Sequence, residues 1–407
     1  MSLITLATLV TILGGLAAAR RIESKALENR LLHARAERVA WSAANRALSI
    51  VQVRLDQPGG AFVLTDEWAT FGTQGEESFR FGDETVRIEI VDACAFANLN
   101  TAPQAQLERL PLTTEQIDAL LDWREAGAAA RPEGGKDEYY NSLEQPYNAK
   151  LGALDTLEEL LLVKGFTGRT LYDLPTEQLR NTTTLTMPDG EEAVFAQLVT
   201  VYSSSSNQAP DGQQKLNVNN ASAQAMIGRG IPAQLAQQIV QRRNQQGTFG
   251  SINDLLGMPG INNQNVRAVL DNLAATAGAT VTGRINVNTA NAAVLMTLPG
   301  MTEDIASGIV QRAATGFQGL GDLMDVTGIS IANLRPIVDQ LTTTTRAWSV
   351  RVLATAGARS IAMEFDVRVG ASGLLIANSR AIPRLLAMRV WNWIDAETEE
   401  SNLGAGN

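Results

Sequence analysis

The chain has one cysteine and one histidine in 407 residues. A lone Cys94 excludes an internal disulfide and a multi-cysteine zinc site. A lone His33 excludes His-rich metal centres, and its place in a long amphipathic stretch argues against a Ser-His-Asp arrangement. Positive charge is short as well. Lys+Arg number 33 against 43 Asp+Glu, a net charge of −10. An acidic chain is poorly suited to nucleic acid, because neutralising phosphate takes a positive surface. Hydrophobic residues make up 45% and charged residues 19%, which excludes wholesale disorder. No nucleophile–base pair stands out, so an enzyme is not expected.

What is present starts at the first residues. Residues 1–19, MSLITLATLVTILGGLAAA, carry no charge, and Arg20 and Arg21 close the run. At about 1.5 Å per residue the run covers roughly 28 Å, close to a bilayer core of about 30 Å. It reads as a membrane anchor formed by Leu3, Ile4, Leu6, Leu9, Val10, Ile12 and Leu13. A cleaved secretory signal is the alternative, with Ala17-Ala18-Ala19 mimicking a cleavage site, although no basic residue precedes the run. Arg20 and Arg21 after the span would place the bulk of the chain in the cytoplasm. A basic leader ahead of Met1, since removed, would lift that conflict and is expected.

From Ile22 to Gln57 there is no Pro and no Gly. Leu27, Leu31 and Ala34 recur at three- and four-residue spacing, Arg38 interrupts, and Trp41, Ala44, Leu48, Val51 and Leu55 resume. The pattern predicts one helix over 1–57, stopped by Pro58-Gly59-Gly60. Such a helix suits a filament subunit. A small sheet covers only part of the row, so Leu27, Leu31, Ala34 and Trp41 read as a partner interface.

Alternating apolar residues at 78–91 and 347–369 predict two hairpins of one small antiparallel sheet, interrupted by a large helical insertion. The insertion repeats itself. Asn98-Leu99-Asn100-Thr101-Ala102 recurs at Asn217–Ala221 and at Asn286–Ala290, each time before a helical segment with a hairpin-like break. The short polar side chains are expected to cap the following helix and hold a turn. The fold class is α+β: a long N-terminal helix, a small antiparallel sheet, and an all-α insertion of helix-hairpin-helix, SAM-like repeats. The divisions are 1–57 for the helix, 58–97 for the first part of the sheet, and 98–202 for a first α insert. A linker follows at 203–215, then repeats at 216–275 and 284–343, the former read as an added module. Closing strands occupy 344–395, with Trp391 and Trp393 expected on a strand face against the core, and a flexible tail occupies 396–407.

Two chemistries remain. Arg229, Arg242, Arg243 and Arg267 are the one basic cluster among the repeats, a nucleic-acid site in the alternative reading and a solvated face otherwise. The second hairpin glycine that commonly meets a phosphate is missing, and Glu303 and Asp304 stand where positive charge is needed. Glu133, Asp137 and Glu138 surround Gly134 and Gly135, hard oxygen donors on a loop of the kind calcium accepts. Asp122, Glu125 and Asp155 lie near in sequence. A solvated acidic loop is the other reading.

Taken together, Met1-Ser-Leu-Ile-Thr-Leu, Asn98-Leu-Asn-Thr with Leu120-Leu-Asp-Trp, Gly135-Lys-Asp-Glu-Tyr-Tyr, Leu157-Glu-Glu-Leu-Leu-Leu-Val-Lys-Gly and Ile285-Asn-Val-Asn-Thr-Ala resemble the type II secretion minor pseudopilin K family. The unit at 215–275 looks more like the helix-hairpin-helix module of competence DNA receptors, which keeps a membrane-anchored DNA-binding protein as the alternative. The resemblance implies a single-pass inner-membrane protein with its bulk in the periplasm and a methylated N-terminus. It implies partnership with minor pseudopilins I and J above a major pseudopilin, at the tip of a filament that pushes folded exoproteins through an outer-membrane secretin. Calcium is implied near the acidic loop, but the second Asp usual after the Asp-Trp pair is replaced here by Arg124-Glu125. Ordinary pilins carry Glu at mature position five, where this chain has Thr5.

Overall fold

A computed structural model describes residues 2–57, 59–72, 78–127, 129–176, 179, 184–370, 373–391 and 393, without the side chains of residues 2, 3, 5 and 7. The expected flexible tail at 396–407 lies outside the described residues. The first helix, α1, runs Ser2–Leu55. Its inner face is nearly all alanine: Ala36, Ala40, Ala43, Ala44 and Ala47, with Ile50 and Val51. Small side chains let α1 lie close to the sheet, where Val86, Ile88, Ile90, Val350, Val352 and Phe365 meet it.

That sheet has five strands in the order β1 Ser78–Phe81, β2 Glu84–Asp92, β3 Ala347–Ala356, β4 Arg359–Gly370 and β5 Gly373–Ile382. All neighbours are antiparallel, and β2 pairs with β3 through Ile90↔Val350. The two hairpins expected from alternation therefore join into one sheet across the insertion. β5 falls within the closing strands expected over 344–395, although Gly373, Asn378, Ser379 and Arg380 break up its apolar alternation. The tryptophan pair is a correction. Trp391 closes a helix over Arg384–Trp391, and Trp393 folds back with its backbone N–H on the Met388 carbonyl. Both rings are buried on Leu353 and Ala362, so they are core, but not on a strand.

The insertion is three related units around one continuous apolar core. Each closes on a two-residue parallel pairing: Ala97–Asn98 with Val199–Thr200, Leu216–Asn217 with Leu273–Ala274, and Ile285–Asn286 with Leu341–Thr342. The segment expected to be a linker, 203–215, is built in. Ser204–Ser206 pairs with Thr280–Thr282, and Ser205, Asn207 and Ala209 are buried. Its polar side chains are spent inside, as when the Ser205 hydroxyl donates to the Val281 carbonyl at 3.2 Å. The middle unit is also no appendage. The Gly321 N–H donates to Asp271 Oδ1 at 2.8 Å and the Ile252 N–H to Asp339 Oδ1 at 2.9 Å, tying it to the third.

The insertion is tied to the sheet by buried acids. Asp92 at the end of β2 accepts from Thr289 Oγ1 at 2.7 Å and Asn286 Nδ2 at 2.8 Å. Burial pushes its carboxyl up, against the lowering effect of its hydroxyl and amide donors. Glu364 on β4 meets Arg380, which also reaches Glu158 of the first unit at 2.5 Å. Burial alone would raise the Glu364 carboxyl, but Arg380, Arg351 and Ser349 outweigh it and hold it below its ordinary value.

Candidate assembly surface

The sheet reaches only part of α1. Its highest contacts are the Gly357 turn beside Leu32 and Arg359 Nε on Asn29 Oδ1 at 3.2 Å. The described side chains N-terminal to Asn29 are all exposed, along roughly 40 Å of helix at about 1.5 Å per residue. Leu27 is 68% exposed, Leu31 48% and Trp41 37%, and Ala34 is exposed beside them. Trp41 is shared: its ring also meets Phe365 edge-on at 5.0 Å.

Helix geometry explains why one row is half buried and half bare. At 100° per residue, Leu27, Leu31 and Ala34 lie on the side of α1 opposite Ala36, Ala40, Ala43 and Ala47. The row repeats every seven residues, and a straight α-helix drifts about 20° per heptad against such a repeat. From Leu27 to Leu55 the row rotates by roughly 80°, from the outer face toward the sheet. Leu48 and Leu55 are accordingly packed at the margin of the sheet core, while the start of the row is left for another partner.

Ile4, Leu6, Leu9, Val10, Ile12 and Leu13 are also exposed. The side chain of Leu3 lies outside the described residues. Among the described residues no helix is long and apolar enough to cross a membrane. The span read over 1–19 draws on side chains at Met1, Ser2, Leu3, Thr5 and Ala7 that are not described.

The four arginines assigned to the nucleic-acid alternative are all engaged within the chain. Arg243 Nη1 donates to the Val218 and Ala221 carbonyls at 2.7 and 3.0 Å. Arg242 lies 4.0 Å over the Phe249 ring and donates to the Gly247 carbonyl. Arg229 is bound to Asp211 and Gln213, and Arg267 to Asp322 and Asp325. Arg242 and Arg243 have counterparts in the other repeats. Arg124 grips the Leu99 and Ala102 carbonyls as Arg243 grips its own, and Arg312 stacks on Phe317 as Arg242 does on Phe249. A gel shift with the full chain at physiological salt is expected to show no complex tighter than roughly 1 µM. A tighter complex would bring the DNA-binding reading back.

The repeated Asn element works differently from the expectation. Its first Asn does hold a turn: Asn98, Asn217 and Asn286 each accept the N–H two residues on. The second Asn does not cap a helix. It staples a distant strand of loop: Asn288 Oδ1 accepts from the Phe317 N–H at 2.7 Å while its Nδ2 donates to the Phe317 carbonyl at 2.9 Å. Asn219 does the same with Phe249, and Asn100 with Leu154. The caps come from Ser222 and Asn291 instead.

Glu133, Asp137 and Glu138 are exposed and do not converge. Among the described residues no group of three His, Cys, Asp or Glu could hold a metal ion. Asp137 Oδ1 accepts the Ala149 N–H at 2.8 Å, and Lys164 takes the Glu133 carbonyl at 2.8 Å. The donors nearby are already bound to cations of the chain, so this donor set does not fit calcium.

Residues 97–176 match the family described as type II secretion system (T2SS), protein K, and residues 211–273 and 281–342 match the helix-hairpin-helix motif. The resemblance to protein K, with a further helix-hairpin-helix module, is thereby shown over these residues. Two curated relatives are both named endonuclease/exonuclease/phosphatase family domain-containing protein 1. The Bos taurus protein is 27% identical over 161 residues, covering 32% of this chain and 28% of that one. The Xenopus laevis protein is 28% identical over 151 residues, covering 32% and 27%. The chain thus spans less than a third of these relatives' length. Among solved structures, the GspK-GspI-GspJ complex from the enterotoxigenic Escherichia coli Type 2 Secretion System aligns at TM-score 0.45 and 13% identity, covering 88% of this chain and 99% of that one.

Proposed function

We propose that this chain is a minor pseudopilin of type II secretion, a structural subunit that caps the tip of a periplasmic filament. The observation that carries the reading is the bare apolar row on the outer face of α1, on a chain whose residues 97–176 match protein K. A heptad-spaced row takes up other helices in a left-handed bundle. Minor pseudopilins I and J are the partners, with the major pseudopilin below and secreted exoproteins as the cargo. The exposed side chains from Ile4 to Leu13 enter the inner membrane before assembly and lie among neighbouring helices after it.

Co-expression with pseudopilins I and J from the same genome tests the proposal. A stable ternary complex is expected on size-exclusion chromatography, with the N-terminus at Met1 by mass spectrometry. Failure to bind either partner, or an N-terminus near Arg20, would overturn the reading.

A further inference from the structure

The loop that follows helix α2, Thr114–Arg124, carries its own counter-charge. Asp122 is fully buried and both its carboxylate oxygens are taken by one residue: Oδ1 by the Arg131 guanidinium at 2.8 Å, Oδ2 by the Arg131 backbone N–H at 2.9 Å. The same guanidinium reaches Glu125 Oε2 at 2.6 Å. Lys136 is buried, and its ammonium donates to the Asp122 and Glu125 carbonyls at 2.5 and 2.6 Å. Carbonyls in the last turn of a helix have no partner within it and carry the negative end of its dipole.

Carboxylate and carbonyl oxygens converging on one centre are what a hard divalent ion takes up. Here the oxygens converge on nitrogen. Gly134 closes in on Asp122 from the other side, where a Cβ would stand 2.0 Å from its Oδ2. We infer that Arg131 and Lys136 take the place of a divalent cation, so the 125–152 loop folds from the chain's own charges and stays folded in a chelator. This inference rests on the loop alone and is independent of the filament role.

The test is made on the full chain in detergent. Melting is expected at the same temperature in EDTA and in calcium chloride, and equilibrium dialysis against radiolabelled calcium should find none retained. Lys136→Met should lower the melting temperature by about 5–10 °C, because one member of a buried ionic set is lost, and should open 127–135 to limited proteolysis. A drop of several degrees when EDTA is added to the unaltered chain would overturn the inference, as would stoichiometric calcium or a Lys136→Met chain that melts unchanged. If that variant does not fold, the two measurements on the unaltered chain decide the matter.

Discussion

Replacing Leu27 and Leu31 together with Glu is expected to weaken assembly with the partner pseudopilins by a factor of about a hundred or more. Burying one Leu in a helix seam contributes roughly 1.5–3 kcal/mol, so the pair contributes about 3–6 kcal/mol, and each 1.4 kcal/mol is tenfold in affinity. The added carboxylates would also have to be desolvated in the seam. The chain itself should be unharmed, because both leucines face away from the sheet and stand largely in solvent. Pull-down by the two partners reads the affinity, and a thermal melt reads the fold. Normal assembly of the double variant would remove this face of α1 from the interface. Trp41→Ala is a poorer probe, because that ring also packs on Phe365.

The second large effect concerns stability. Asn288→Ala should cost about 2–5 kcal/mol, measured as a fall in the urea midpoint at unchanged slope. Asn288 is buried, and its amide satisfies both the N–H and the carbonyl of Phe317, which are buried with it. Truncation leaves two buried backbone groups with nothing to replace the bonds, at roughly 1–3 kcal/mol each. Asn219→Ala should cost less, since Asn219 is only half-buried and water can reach the groups it leaves. An Asn288→Ala chain as stable as the original would show that the staple is dispensable.

Much of this fold was readable from residue order. The helix over 1–57 is legible in the uncharged run to Ala19 and in the stretch from Ile22 to Gln57 without Pro or Gly, and the sheet in its alternation. The Asn-x-Asn-x-Ala element marked three repeats, though not that 97–200 closes on itself like the other two. What could not be read was direction. Leu27 and Leu55 belong to one row on paper, yet one faces solvent and the other the margin of the sheet, because a seven-residue repeat drifts about 20° per heptad along a straight helix. The same holds for charge. Arg242 and Arg243 look like a basic patch until the carbonyls and the ring they serve come from residues nearby in space. The serine-rich stretch 203–215 has a linker's composition, but its backbone pairs and its hydroxyls find partners inside. The middle unit reads as an addition, whereas Asp271 and Asp339 bind it into its neighbour, so removing 216–275 would uncover shared core.

The sheet's interrupted connectivity sets a condition on how the chain acquires its shape. Ile90 must find Val350 across the whole insertion, and an open loop of that length carries a heavy closure entropy before any pairing rewards it. A folded insertion shortens that loop to the gap between its two ends. Once Ile285–Asn286 has paired with Leu341–Thr342, and Asn286 and Thr289 have reached Asp92, the ends of β2 and β3 already lie side by side. Pairing of the central strands is then nearly a local event. The alanine face of α1 has its seat only on the sheet that this pairing completes.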